Sequence, residues 1–252
     1  MEIAHIALAA AAGLVGGAMN ALAGGGTFAT LPALLGSGLP ANIANATSNV
    51  ALLPGAAASA WAFRDELGPV GGVPHRVLAA ITFAAALIGS VLLVLTPSRA
   101  FDLIIPWLVL YAFVVLAFGR AASEWLRRRA TIGTRTLVIA QSLLGIYGGY
   151  FGGGLGLMTT ATYGLLAGHS PRELFAPRTL MLAVGNSAAA IVFVGAGLVS
   201  WAQGLPTLVG AVLGGWVGAK VGRLLPAGVV RAWTLLVTGA TTAVFFWRVY
   251  GG

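Results

Sequence analysis

An all-α, polytopic membrane protein made of two inverted repeats is the fold class that this chain predicts, and three observations carry it. Of its 252 residues, 58% are hydrophobic and only 8% are charged, whereas soluble domains carry roughly a quarter charged residues. Uncharged runs such as 77–96 and 103–119 approach the ~20 residues needed to cross the hydrocarbon of a bilayer. Three consecutive glycines interrupt an apolar stretch twice, at Gly24–Gly26 and at Gly152–Gly154. A β-barrel would show short alternating segments instead.

The elements follow in order. An apolar stretch covers about 3–37 and is broken at Gly24–Gly26. A polar patch, Asn42 to Asn49, opens a span that ends near Phe63. A charged loop from Arg64-Asp65-Glu66 to His75-Arg76 leads to spans at about 77–96 and 103–119. Residues 120–135 form the most basic segment, centred on Arg127-Arg128-Arg129, and divide the chain into a first membrane repeat (1–119), a basic cytoplasmic linker (120–135) and a second membrane repeat (136–252). The second repeat has a broken stretch at 136–168, a loop through His169 and Glu173, and spans at about 174–195, 203–220 and 228–248. Trp61, Trp107, Trp201 and Trp247 fall near span ends, as interface anchors should.

The net charge of +8 does not indicate nucleic acid, because the basic residues sit in loops between apolar runs, as a topology signal does. The absence of cysteine excludes disulfides and cysteine-rich metal sites. The start, Met1-Glu2-Ile3-Ala4-His5, lacks the basic segment of a signal peptide and reads as first-helix sequence.

At an offset of 128, Gly17, Gly24, Gly25, Gly26, Ala33 and Gly36 fall on Gly145, Gly152, Gly153, Gly154, Ala161 and Gly164; after a three-residue shift Pro40 falls on Pro171. Two arrangements fit this duplication. If each broken stretch crosses once, the repeats are parallel and the 14 basic residues divide 8 to 6. If each folds back as a hairpin, the repeats are inverted and the division is 12 to 2, with only Arg99 and Arg248 on the sparse side. The positive-inside rule selects the inverted arrangement, with both termini outside the cytoplasm.

Inverted repeats with broken helices are a recurring plan of secondary transporters, with substrate near the midplane. Backbone freed at the glycines must line an enclosed or wet cavity. Each triplet precedes a helix start, at Thr27 and Leu155, whose unpaired N–H groups and positive dipole end favour an anion. The expected substrate site comprises Asn20, Gly24, Gly25, Gly26 and Thr27 at the first break, with Thr47, Ser48 and Asn49 after it. In the second half it comprises Gly152, Gly153, Gly154 and Leu155, with Arg178, Thr179 and Asn186. Amides and hydroxyls can bond an oxyanion, and arginine can pair with one bidentately. The competing readings are glycine-mediated helix packing, Asn42 and Asn45 as caps, and Arg178 snorkelling to the interface. His5, His75 and His169 are isolated, and His75 and His169 read as loop residues. Asp102 and Glu124 fall at span ends. No metal site and no cofactor is expected.

The first glycine triplet, followed by Leu31-Pro32-Ala33-Leu34-Leu35-Gly36 and Ala44-Asn45-Ala46-Thr47-Ser48, resembles the signature of the sulfite exporter TauE/SafE family. Gly152–Gly154 with Asn186-Ser187-Ala188-Ala189 is similar to that family's second half, although Thr159-Thr160 stand in place of the usual apolar–proline pair. The resemblance implies an inner-membrane permease that moves sulfite, sulfonates or other organic anions, usually outward. The expectation is therefore a secondary transporter of a small oxyanion in the bacterial inner membrane, not an enzyme. Its partners would be the anion, the bilayer and a coupling ion, proton or sodium. The alternatives are an anion channel, an intramembrane enzyme and a non-transporting assembly subunit.

Overall fold

The computed structural model describes residues 3–127, 133–169, 173–222 and 225–251. Met1, Glu2, the linker residues 128–132 with Arg128 and Arg129, and the expected cytoplasmic residues Arg172 and Arg223 lie outside the described residues. Among the described residues ten α-helices run in order: α1 (Ile3–Ala23), α2 (Thr27–Gly36), α3 (Ala41–Ala62), α4 (His75–Leu95), α5 (Ser98–Arg127), α6 (Thr134–Tyr150), α7 (Leu155–Ala167), α8 (Phe175–Gly195), α9 (Trp201–Gly222) and α10 (Ala227–Tyr250). Each half thus repeats one order: a long helix, a short one, then three long ones.

Among the described residues, six helices are long and apolar enough to cross a membrane: α1, α4, α5, α8, α9 and α10. The polar cluster Asn42–Asn49 keeps α3 out of this set although it has 22 residues, and α6 has only 17. Two boundaries differ from expectation. The expected 103–119 span is part of a helix running from Ser98 to Arg127, because arginine is a good helix former and does not end a helix as glycine or proline does. His75 is the first residue of α4 rather than a loop residue.

The chain reverses at the first glycine triplet. A Cβ on Gly16, seven residues before Ala23, would lie 2.6 Å from Thr30 Cγ2 and 2.9 Å from the Gly26 carbonyl oxygen. Gly16 of α1 therefore neighbours both Gly26 and Thr30, and Asn20 bonds to Gly26, so α1 and α2 form a hairpin. The second break also turns sharply, with Leu155 side-chain atoms packed on Gly148.

Small residues set the helix pairs. In α1 and α9, Leu14 faces Gly214 and Ala18 faces Gly218. The numbers rise together, so the helices run parallel, with backbones too close for a Cβ at either glycine. The α4–α6 pair is made the same way, with Gly145 against Ala85 and Gly149 against Ala86. The two remaining pairs run antiparallel. In α3 and α8, Thr47 near the start of α3 meets Ser200 just beyond α8, while Phe63 stacks edge-on against Phe175 at a centroid distance of 4.7 Å. In α5 and α10, the Tyr250 hydroxyl donates to the Leu103 carbonyl at 3.0 Å, and Arg231 Nη2 to the Ala117 carbonyl at 2.9 Å.

These pairings leave α3 and α8 at the centre. In α8, 61% of the apolar window is buried, against 28% in α5 and in α10. The outer helices turn large apolar side chains outward, among them Leu95, Trp107, Phe118, Leu236 and Trp247. This exposure is intelligible only against an apolar solvent. The central helices carry the buried polar residues and bring them to the breaks.

Candidate functional site

The two breaks meet, each glycine triplet packing on the start of the helix that leaves the other. A Cβ on Gly24 would lie 2.8 Å from Gly156 Cα, and one on Gly154 would lie 2.9 Å from Phe28 Cζ. Gly24, Gly152 and Gly154 have φ values of +82°, +72° and +79°, a conformation that costs any L side chain roughly 1–2 kcal/mol. Chain reversal and close approach therefore both require glycine here. The helices that leave the breaks begin where the sequence places them, at Thr27 and Leu155, and neither start is capped by a side chain.

Each break is served by a central helix of the opposite half. At the first, Arg178 of α8 is 7% exposed and donates from Nη1 to the Leu22 carbonyl at 3.4 Å and from Nη2 to the Ala21 carbonyl at 3.3 Å. These carbonyls belong to the last turn of α1, the negative end of its dipole, where a cation is favoured. The guanidinium also lies over the Phe175 ring, 4.4 Å from its centroid. At the second break, Asn45 of α3 donates from Nδ2 to the carbonyl of Tyr150, the last residue of α6, at 3.1 Å. Asn45 is therefore not a cap of its own helix but of another.

The remaining expected residues divide into those that the structure brings to the breaks and those engaged elsewhere. Asn20 reaches across the first hairpin, its Oδ1 accepting from the Gly26 N–H at 3.3 Å. Asn49 packs on Gly152 so closely that a Cβ there would overlap its amide nitrogen, and both polar atoms of that amide are buried without a partner. Asn186 is buried with Oδ1 unpartnered; its neighbour Gly185 abuts Leu155. By contrast, the Thr47 hydroxyl accepts from the Ser200 N–H at 2.9 Å, the Ser48 hydroxyl pairs with Thr30 at 2.5 Å, and the Thr179 hydroxyl donates to the Ala176 carbonyl at 2.9 Å. A small cavity beside Asn20, bounded also by Ser59, Thr179 and Gly215, has about 10 Å³ of accessible space, enough for about one water.

Sequence reasoning missed Tyr147, whose hydroxyl donates to the Gly153 carbonyl at 2.8 Å, and Thr30, the partner of Ser48. Neither carries a local signal, because both act across a chain reversal. Asp102 also differs from a solvated end residue: it pairs with Arg248 at 3.4 Å, joining α5 to α10.

Chemically, the meeting point offers uncapped helix N-termini, amide groups and one guanidinium, all buried. This set can hold an anion in a water-poor place. Together with six helices long and apolar enough to cross a membrane and an apolar perimeter, it defines a multi-pass helical membrane transporter. The chain belongs to the sulfite exporter TauE/SafE family, whose profile it matches over residues 9–245. It is 26% identical over 240 residues to the probable membrane transporter protein YfcA of Escherichia coli strain K12, covering 94% of this chain and 88% of that one. A probable membrane transporter protein of Haemophilus influenzae is 26% identical, over 92% of this chain and 90% of its own length. The probable membrane transporter protein ORF9 of a Sinorhizobium species is 28% identical, over 90% and 87%. No solved structure matches the chain.

Proposed function

We propose that the protein is a secondary transporter of a small oxyanion, sulfite or an organosulfonate, working as an exporter in the bacterial inner membrane. The observation that carries this reading is the contact of the two uncapped helix starts, with Arg178, Asn49 and Asn186 buried around them. Buried unpartnered amide groups cost about 1–3 kcal/mol each. An oxyanion between the breaks would relieve that cost at Asn49 Nδ2 and Arg178 Nε, two buried donors without a partner.

The two halves act as inverted repeats. Antiparallel pairing of α3 with α8 and of α5 with α10 supports this, as does the reversal at Gly24–Gly26. In a parallel duplication each of those pairs would run the same way. Both termini then lie outside the cytoplasm, and the arginine-rich loops lie inside it. The Gly24–Gly156 contact corresponds to the closed state. Access alternates when one repeat rocks against the other around the breaks, driven by a proton or sodium gradient.

Reconstitution tests the reading. Purified protein in liposomes should give saturable flux of labelled sulfite or methanesulfonate and should show counterflow, which a channel does not. Asn49→Leu combined with Arg178→Gln should abolish the flux. An unchanged flux in that double variant would sink the site, and no saturable anion flux at all would sink the function.

A further inference from the structure

The second hairpin carries polar residues that the anion site does not use. Thr159 and Tyr163 lie one turn apart on α7, hence on one face, and both are fully buried. Neither the Thr159 hydroxyl nor the Tyr163 hydroxyl has a partner. Gln141 of α6, also fully buried, donates from Nε2 to the Thr82 hydroxyl of α4 at 2.6 Å, and its Oε1 is left without a partner. Three unsatisfied polar atoms in one hairpin and its neighbour have no packing rationale. At the aligned offset of 128, the first hairpin has Leu31, Leu35 and Gly13 instead.

An apolar turn packs against Tyr163. Val70 and Val73 exchange two backbone hydrogen bonds of 2.9 Å, with Gly71 and Gly72 at φ +55° and +79° between them. Positive φ at both central residues makes this a tight type I′-like turn. Val70 and Val73 are 1% and 4% exposed, and they join Tyr163, Leu78, Leu137 and Met181 in one cluster. The turn belongs to the α3–α4 loop, which carries Arg64 and leads to Arg76.

We propose that Thr159 and Tyr163, with the Gln141–Thr82 pair, line a hydrated path for the oxyanion from the second break to the arginine-rich face. The Val70–Val73 turn is its apolar stopper. The inference rests on the transporter reading. The hydroxyls supply hydrogen-bond donors to a passing anion, and Gln141 Oε1 accepts from the water that travels with it. When the turn lifts, the path wets; when it seats, the polar atoms are stranded as observed.

The chain contains no cysteine, so a single introduced thiol can be read without background. Thr159→Cys, Leu31→Cys and Leu35→Cys would each be labelled in the membrane with the anionic reagent methanethiosulfonate ethylsulfonate. Thr159→Cys should react at least about tenfold faster than either control, the kinetic equivalent of one hydrogen bond. Methanesulfonate should slow it, and Val70→Ser with Val73→Ser should speed it. Equal, slow labelling at all three positions, with and without the turn substitutions, overturns the path. Should the thiol variants fail to fold, Thr159→Val with Gln141→Leu decides: the path requires flux to fall about tenfold while thermal stability holds or rises. Unchanged flux in that pair overturns the path. Failure of the two readings is separable. Inert Thr159→Cys in a protein that transports removes the path alone, whereas fast labelling without any flux supports the hydration and removes transport.

Discussion

The first and second hairpins are reached by the same order of helices and meet at their glycines, yet they are secured by different side chains. At the first, the bonds across the hairpin come from Asn20, an acceptor for the Gly26 N–H, and from the charged Arg178 on the ends of α1. At the second, Tyr147 is a donor to the Gly153 carbonyl and the neutral Asn45 donates to Tyr150. Asn20 thus occupies the Gly26 N–H at the first break, whereas both of these bonds at the second go to carbonyls. The first hairpin packs α2 through Leu31 and Leu34, whereas α7 turns Thr159 and Tyr163 into the same kind of space. The two frames are similar, and their side chains differ: an acceptor and a charged donor serve the first break, neutral donors the second.

The largest effect expected is at the glycines. Gly24→Ala must move the backbone of Gly156 as well as bear a positive φ, so a loss of about 3–5 kcal/mol is expected. Gly152→Ala meets a side-chain amide, which can rotate, so it should lose less stability but should impair anion flux by displacing Asn49. Thermal unfolding of the purified variants orders them, and a reversed order would break the contrast. Next, Arg178→Gln should cost about 1.5–3 kcal/mol, as removal of a charged donor does, and Asn45→Leu about 1 kcal/mol. Equal losses would mean that the charge at the first break contributes nothing. Tyr147→Phe, with its 2.8 Å bond to Gly153, should lower the thermal midpoint by the equivalent of about 1 kcal/mol with the hairpin intact. Asp102→Asn should have the smallest effect. Its partner Arg248 is 43% exposed, so the change should stay below about 1 kcal/mol and shrink further in salt.

Much of this frame is legible in the sequence because backbone chemistry is local. Three glycines in an apolar run end a helix wherever it folds, and the helices that follow do begin at Thr27 and Leu155. The all-helical class rests on composition and needs no tertiary knowledge. Side-chain roles were legible only in part. Arg178 and Asn49 stand out as polar residues in an apolar stretch, and both reach the breaks. Thr47, Ser48 and Thr179 stand out equally, but their hydroxyls have local or neighbouring partners, a choice that helix packing makes and residue type does not. Gln141, Thr82 and Tyr163 lie on three different helices, each a polar residue in an apolar stretch. Only the juxtaposition of α4, α6, α7 and α8 marks them as a group.

The crossed caps also bear on how the chain matures. Arg178 closes α1 from 156 residues away, and Asn45 closes α6 from 105. During synthesis the Ala21 and Leu22 carbonyls have no Arg178 to meet until α8 has left the ribosome. The polar α3 waits equally long for α8 to lie beside it. Neither half can complete itself, so the N-terminal half expressed alone should be degraded, and co-expression of the two halves as separate polypeptides should rescue both.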